Sequence, residues 1–222
     1  MLKFIDISSW QAGFDPATAP VDGVICKATE GLNNVDPKCD GFIQKADGAG
    51  KLWGFYHFAG SGDPLAEAAF FYRNTMNYSG KGIPVLDWEG QQSVNWVNQF
   101  VNQYHNLTKV WPWIYANPWR FNQGGVEPNC ARWVASYPSV TAPTHATAAG
   151  WKCPEADGNV VAWQFASDCP VSGWKLDGDL FYGDAAAWNA YARGGRSIVD
   201  DVASSVSTFE NESVKVTVEV KK

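Results

Sequence analysis

The chain has 222 residues, 45% of them hydrophobic and 14% aromatic, with a formal charge of −6 and five cysteines. That is enough chain for one large domain with a buried core. The acidic balance and the lack of any basic run of five or more argue against nucleic acid or an anionic membrane surface as partner, and no apolar stretch is long enough for a membrane span.

In chain order, Leu2 to Ile7 and Asp22 to Ala28 are predicted strands. Asp36 to Gly50 is a predicted helix, with Phe42, Ile43, Ala46 and Ala49 on one face. Leu52 to Phe58 is a third strand, after which Pro64 opens a helix carrying Leu65, Ala68, Ala69 and Tyr72, a usual place for proline. Ile83 to Trp88 is the fourth strand, followed by a helix over Gln92 to His105. Val110 to Tyr115 is the fifth strand, with a short helix near Pro118 to Gln123. From there the rhythm changes. Arg132 to Ser136, Val160 to Phe165 and Leu176 to Phe181 are predicted strands, joined by long loops without helical periodicity, and Asp184 to Ala192 is a closing helix. Parallel strands buried on both faces should be continuous apolar runs, as the early ones are. The expected class is α/β, a barrel that begins as β/α units and finishes as plain β.

Residues 1–194 hold this pattern. Residues 195–222 are expected to be a polar linker and a strand-like tail in which Val214, Val216, Val218 and Val220 line one face. Such a strand needs a partner, so docking or self-association is expected of it. The amino terminus enters a strand without the charged region and apolar core of an export signal, so synthesis and initial retention in a cytoplasm are expected. The cysteines (Cys26, Cys39, Cys130, Cys153, Cys169) lack Cys-x-x-Cys spacing, and His57, His105 and His145 are not paired with them in sequence; neither a metal nor a cofactor is expected. Cys153 and Cys169, placed in loops flanking one strand, could meet as a disulfide, although reduced thiols suit cytoplasmic synthesis.

The acids fall at strand ends. In Ile83 to Gly90, IPVLDWEG, an apolar run stops at Asp87 and Glu89. Residues i and i+2 of a strand share a face roughly 6–7 Å apart. Two like charges that close raise at least one pKa. The result is a proton donor beside a carboxylate, which glycosidic bond cleavage requires; two solvated acids is the plainer alternative. Asp6 ends the first strand, and Asp177 and Asp179 lie in the last. In β/α barrels the chemistry sits at the carboxyl ends of the strands, where Tyr56-His57, Tyr115 and Trp163-Gln164-Phe165 also fall.

These residues resemble glycoside hydrolase family 25, the lysozymes (N-acetylmuramidases) of bacteria and phage endolysins. The likeness runs from Leu2 to Ala192 through Asp6-Ile7-Ser8-Ser9-Trp10-Gln11, Ile25-Cys26-Lys27-Ala28-Thr29-Glu30-Gly31 and Gly54-Phe55-Tyr56-His57-Phe58. It continues through Leu86-Asp87-Trp88-Glu89, Ile114-Tyr115, Trp133-Val134-Ala135, Trp163-Gln164-Phe165 and Leu176-Asp177-Gly178-Asp179-Leu180-Phe181. The resemblance implies a flattened, irregular TIM-like barrel of the (β/α)5(β)3 type. It implies hydrolysis of the β-1,4 bond between N-acetylmuramic acid and N-acetylglucosamine in bacterial peptidoglycan, as in an endolysin that reaches the cell wall after release from the host cytoplasm. Glu89 matches the general acid and Asp87 its partner, with Asp6 and Asp177 as further acids of the site.

Burial and the charge of Asp87 are expected to keep Glu89 protonated. Asp87 would act either as a direct nucleophile, with carboxyls about 5–5.5 Å apart, or by orienting the substrate's own 2-acetamido group. Asp6 has a structural alternative, as support for Glu89 or a backbone amide. Lys27 is either an ion-pair partner of an acid or a substrate contact. Tyr56, Tyr115, Trp133 and Trp163 are divided between sugar contact and core, and Gln164 is a further substrate-contact candidate. Glu30 is expected in a loop, and His57 as a hydrogen-bonding support. A catalytically silent glycan-binding barrel and a chitin-directed glycosidase are the alternative functions; the histidine count disfavours a zinc amidase.

Overall fold

A computed structural model describes residues 1–195; the predicted linker and the alternating-valine tail lie outside the described residues. Nine strands form one sheet: β1 (Leu2–Ile7), β2 (Gly23–Glu30), β3 (Asn34–Val35), β4 (Leu52–Phe58), β5 (Ile83–Asp87), β6 (Trp113–Ala116), β7 (Arg132–Ala135), β8 (Val160–Val171) and β9 (Trp174–Phe181). All but β3 close into a barrel, because β1 pairs with β2 at one side and with β9 at the other. β3 is a short hairpin partner on the end of β2.

The helices α1 (Cys39–Gly48), α2 (Pro64–Thr75), α3 (Val94–Thr108), α4 (Pro118–Phe121) and α5 (His145–Ala148) lie in the connections, and α6 (Ala185–Ala192) follows β9. Their starts are written locally. Asp63, Ser93, Asn117, Thr144 and Asp184 each accept a bond from a first-turn amide, and Pro64 and Pro118 occupy first-turn positions where a missing N–H costs nothing. The one-turn α5 was not predicted, and β6 starts at Trp113 rather than Val110, immediately after Pro112. Among the described residues no helix is long and apolar enough to cross a membrane.

The last two described strands depart furthest from expectation. β8 runs to Val171, so Cys169 lies within a strand rather than in a loop, and Cys153 and Cys169 are both free thiols. β8 turns directly into β9 through Ser172 and Gly173, both at positive φ (48° and 82°). Two consecutive positive-φ residues make the tight turn whose twist matches a hairpin, and glycine takes one of those places without steric cost. β9 is therefore antiparallel to β8 and to β1, whereas the other barrel pairings are parallel.

Strand alternation sorts the core into two layers. Phe4, Ile25, Val85, Trp113, Trp133 and Phe181 fill the barrel interior, while Ile5, Val24, Leu86, Ile114, Val134 and Trp163 pack outward. Trp188 of α6 packs on Phe4, Trp113 and Phe181 and donates to the Trp53 carbonyl, so α6 plugs the barrel at the end where the parallel strands begin. The opposite end stays open.

Candidate active site

The open end is lined by inward-facing residues of the parallel strands: Asp6 of β1, Lys27 of β2, Tyr56 of β4, Asp87 of β5, Tyr115 of β6, Trp133 of β7 and Gln164 of β8. Because β9 runs the other way, it is its amino-terminal half that reaches this rim, and Asp177 stands directly across the ladder from Asp6. Paired residues of an antiparallel ladder share a face. These side chains, with Glu89 just past β5, surround a cavity of about 300 Å³. A second cavity of about 260 Å³ adjoins it, lined by Trp88, Asn117 and Ser136 and sharing Glu89, Tyr115 and Tyr137 with the first. Glu89 thus stands between two hollows.

The two carboxyls of the Asp87-Trp88-Glu89 segment occupy different environments. Asp87 is buried and Glu89 is exposed at the rim, so the burial expected of Glu89 falls on Asp87 instead. Burial, followed by the charge of Glu89, holds the Asp87 carboxyl well above the usual carboxylate range, and Asp87 lies within hydrogen-bonding reach of Glu89. Lys27 opposes the shift on Asp87 through its positive charge, while its ammonium bonds Glu30 at 2.6 Å and lies 4.9 Å from the Phe58 ring centre. Glu30 therefore belongs to β2 as the partner of Lys27, rather than to a loop.

Across the cavity, burial and the charge of Asp177 push Asp6 up, and burial pushes Asp177 up to about 6. Asp6 is oriented by a relay: Gln164 Nε2 donates to its Oδ2 at 2.6 Å, and the hydroxyls of Tyr115 and Tyr137 donate to Gln164 Oε1 at 2.7 and 2.5 Å. These bonds fix the Gln164 amide and aim its N–H pair at Asp6. Trp88 faces away from the barrel axis, its indole N–H bonded to the Gln92 carbonyl. Arg120 lies 5.0 Å from the Trp88 ring centre and donates to the carbonyls of Glu89 and Gly90, both at 2.6 Å, pinning the backbone that carries Glu89. The arrangement offers an accessible acid, a buried carboxyl beneath it and an oriented acid opposite, which is the equipment of glycosidic hydrolysis. Among the described residues no group of three or more His, Cys, Asp or Glu is arranged to hold a metal ion.

Of the ten residues singled out from the sequence, Glu89, Asp87, Asp6, Asp177, Tyr56, Tyr115, Trp133, Lys27 and Gln164 line the first cavity. Trp163 does not. It is buried in the outer layer, donates to the Ser136 carbonyl at 2.8 Å and packs near Trp151 and Phe165. Trp163 and Gln164 are neighbours in one strand, so only one of them can face inward. His57 is also away from the cavity, bonded to Thr29 and Glu67 on its two ring nitrogens. Trp10 and Tyr137 do line it and were missed. Trp10 lies shortly after the predicted strand Leu2 to Ile7, and Tyr137 directly after Arg132 to Ser136, so the strand-end rule could have found them.

The chain is 33% identical over 172 residues to the N,O-diacetylmuramidase of Chalaropsis sp, covering 65% of this chain and 79% of that protein. It is 27% identical over 189 residues to the autolytic lysozyme of Clostridium acetobutylicum, 81% of this chain but only 55% of that longer protein. The solved bacterial lysozyme of Streptomyces coelicolor superposes with a TM-score of 0.73 at 26% identity, over 88% of this chain and 98% of that one. The family model described as Glycosyl hydrolases family 25 matches residues 5–174, stopping short of Asp177 and Asp179. With most of the barrel inside that match, the chain belongs to glycosyl hydrolases family 25.

Proposed function

We propose that this chain is a muramidase that hydrolyses the β-1,4 bond between N-acetylmuramic acid and N-acetylglucosamine in bacterial peptidoglycan. The observation that carries the reading is Glu89, exposed between two adjoining cavities with the buried Asp87 beneath it. A polysaccharide laid across both hollows would present its scissile oxygen to Glu89. Glu89 donates its proton to that oxygen as the bond to the anomeric carbon breaks. The 2-acetamido oxygen of the same sugar forms the new bond to the anomeric carbon, with Asp87 orienting the acetamido group and stabilising the positive charge it acquires. Water then attacks from the vacated side, Glu89 takes its proton, and the configuration is retained. The names of the relatives from Chalaropsis and Clostridium support the choice of substrate.

Digestion of purified peptidoglycan with mass spectrometry of the fragments tests this. Reducing ends on muramic acid are expected, and reducing ends on glucosamine would reassign the enzyme as a glucosaminidase. Proton NMR of the first-formed product should show a retained anomer; inversion would eliminate this mechanism. A second proposal rests on the sequence alone: the alternating valines of 213–220 pair with a second copy of the chain. Light scattering after size exclusion should then give a larger mass for the full chain than for residues 1–196, and equal monomer masses would discard it.

A further inference from the structure

One acid of the barrel interior lies outside the site itself. Asp179 is fully buried and lines neither cavity. Its Oδ1 accepts from the Trp133 indole N–H at 2.9 Å, while its Oδ2, also buried, accepts from no N–H or O–H donor among the described residues. The group within hydrogen-bonding reach is the carboxyl of Asp6, which already accepts from Gln164. Two ionised carboxylates are acceptors only, so the contact makes chemical sense only with a proton in it.

We propose that Asp179 is a positioning residue for this site: a buried acid that keeps its proton at neutral pH and donates it to Asp6, presenting Asp6 to the cavity as an oriented anion. The placement of the proton follows from geometry. Asp179 is the deeper of the two, at 0% exposure against 9% for Asp6. Trp133 occupies its Oδ1 and leaves Oδ2 to carry the hydrogen. Each acid accepts one N–H, Asp6 from Gln164 and Asp179 from Trp133, so what separates them is access: Asp6 lines the cavity and Asp179 does not. The ionisable groups facing Asp179 are Asp6 from β1, Asp177 from β9 itself and the Tyr137 phenol from the segment after β7. None of these is a cation, so nothing facing it compensates a second negative charge at that depth. Burial and the charges of Asp6 and Asp177 both push the Asp179 carboxyl up, in agreement.

The catalytic consequence rests on reading this cavity as the muramidase site, but the protonation does not. Infrared difference spectroscopy of the purified full chain at pH 7, wild type against Asp179→Asn, should show a protonated-carboxyl carbonyl band that the variant lacks. Identical spectra in that region would overturn the proposal. Kinetics provide the second measurement. Asp179→Asn keeps an N–H donor toward Asp6 and should retain kcat within about threefold, whereas Asp179→Val removes it and should lose at least about tenfold in kcat with KM little changed, the cost of one hydrogen bond to a charged group. Wild-type kcat in a folded Asp179→Val protein would overturn the positioning role. If Asp179→Val does not fold, loss of kcat in Asp179→Asn beyond about a hundredfold would do so instead. Should wild type leave peptidoglycan uncut, the functional reading falls, and the infrared band still decides where the proton is.

Discussion

At the scale of single residues, the division between Asp87 and Glu89 comes from depth. Successive same-face positions at a strand end differ by two residues of rise, roughly 6–7 Å, and here that distance separates a buried carboxyl from an exposed one. An exposed acid can reach a substrate oxygen, while a buried carboxyl is held rigidly and shielded from water. Glu89→Gln keeps the shape but removes the proton, and should lower kcat by about 10²–10⁴-fold, the usual worth of a positioned general acid, without changing thermal stability. Near-normal turnover in that variant would reject the assignment. The two tryptophans offered by the sequence should behave oppositely. Trp163→Phe deletes an indole bond in the outer layer and should cost about 1 kcal/mol of stability with KM unaltered. Trp133→Phe removes the bond to Asp179 and should lower kcat. Side-by-side urea unfolding and steady-state kinetics separate the two effects.

At the scale of elements, the connection between β4 and α2 is held by one buried carboxylate. Glu67 of α2 accepts from the amides of Gly60 and Gly62 at 2.8 and 2.7 Å and from His57 at 3.1 Å. Gln92, three residues past Glu89, bonds the Ala59 and Gly60 carbonyls, and Trp96 bonds that of Gly62. The connection therefore ties the segment carrying Glu89 to the first turn of α2. Burial alone would raise the Glu67 pKa, but His57 and the two amides outweigh it and hold the group below its ordinary value. Burial lowers His57, partly opposed by Glu67. Both folded-state values lie below the unfolded ones, so both contribute stability that is present above the unfolded pKa and lost as pH falls through the folded pKa. Glu67→Ala leaves buried donors unpaired and should destabilise by at least about 3 kcal/mol in urea unfolding near pH 7. The penalty should shrink on acidification below the ordinary glutamate pKa of about 4.3.

At the scale of the whole molecule, the barrel gathers carboxyls against the preference of folding. Asp6, Asp87, Asp177 and Asp179 are all pushed upward, with burial the largest cause for each. The sign is opposite to that of Glu67. A raised folded-state pKa adds stability that is complete below the unfolded value and disappears as pH rises through the folded one. For Asp177 that window runs from the ordinary 3.8 to about 6. Asp177→Asn should therefore raise the melting temperature by a few degrees at pH 7.5, with a smaller gain or none near pH 4. A gain that is independent of pH would show that Asp177 is not held as described. Stability given up at neutral pH for a concentrated acid cluster is a cost associated with functional sites.

Much of this was legible in the sequence because strand alternation and apolar runs are local. The early strands, the capped helices and the placement of Asp6, Asp87 and Glu89 at strand ends depend on stretches of a few residues, and the family motifs sit on those same stretches. The hairpin at Ser172-Gly173 was also written locally, and its two-residue turn was overlooked. What no local pattern carries is which strands become neighbours, in which direction, and how deep each side chain then lies. Closure through β1 and β9 set Asp177 opposite Asp6 and put Asp179 beneath the cavity beside Trp133. The same closure buried Asp87 and left Glu89 open. Burial and proton sharing are properties of neighbours brought together from distant parts of the chain, so only the tertiary structure could decide them.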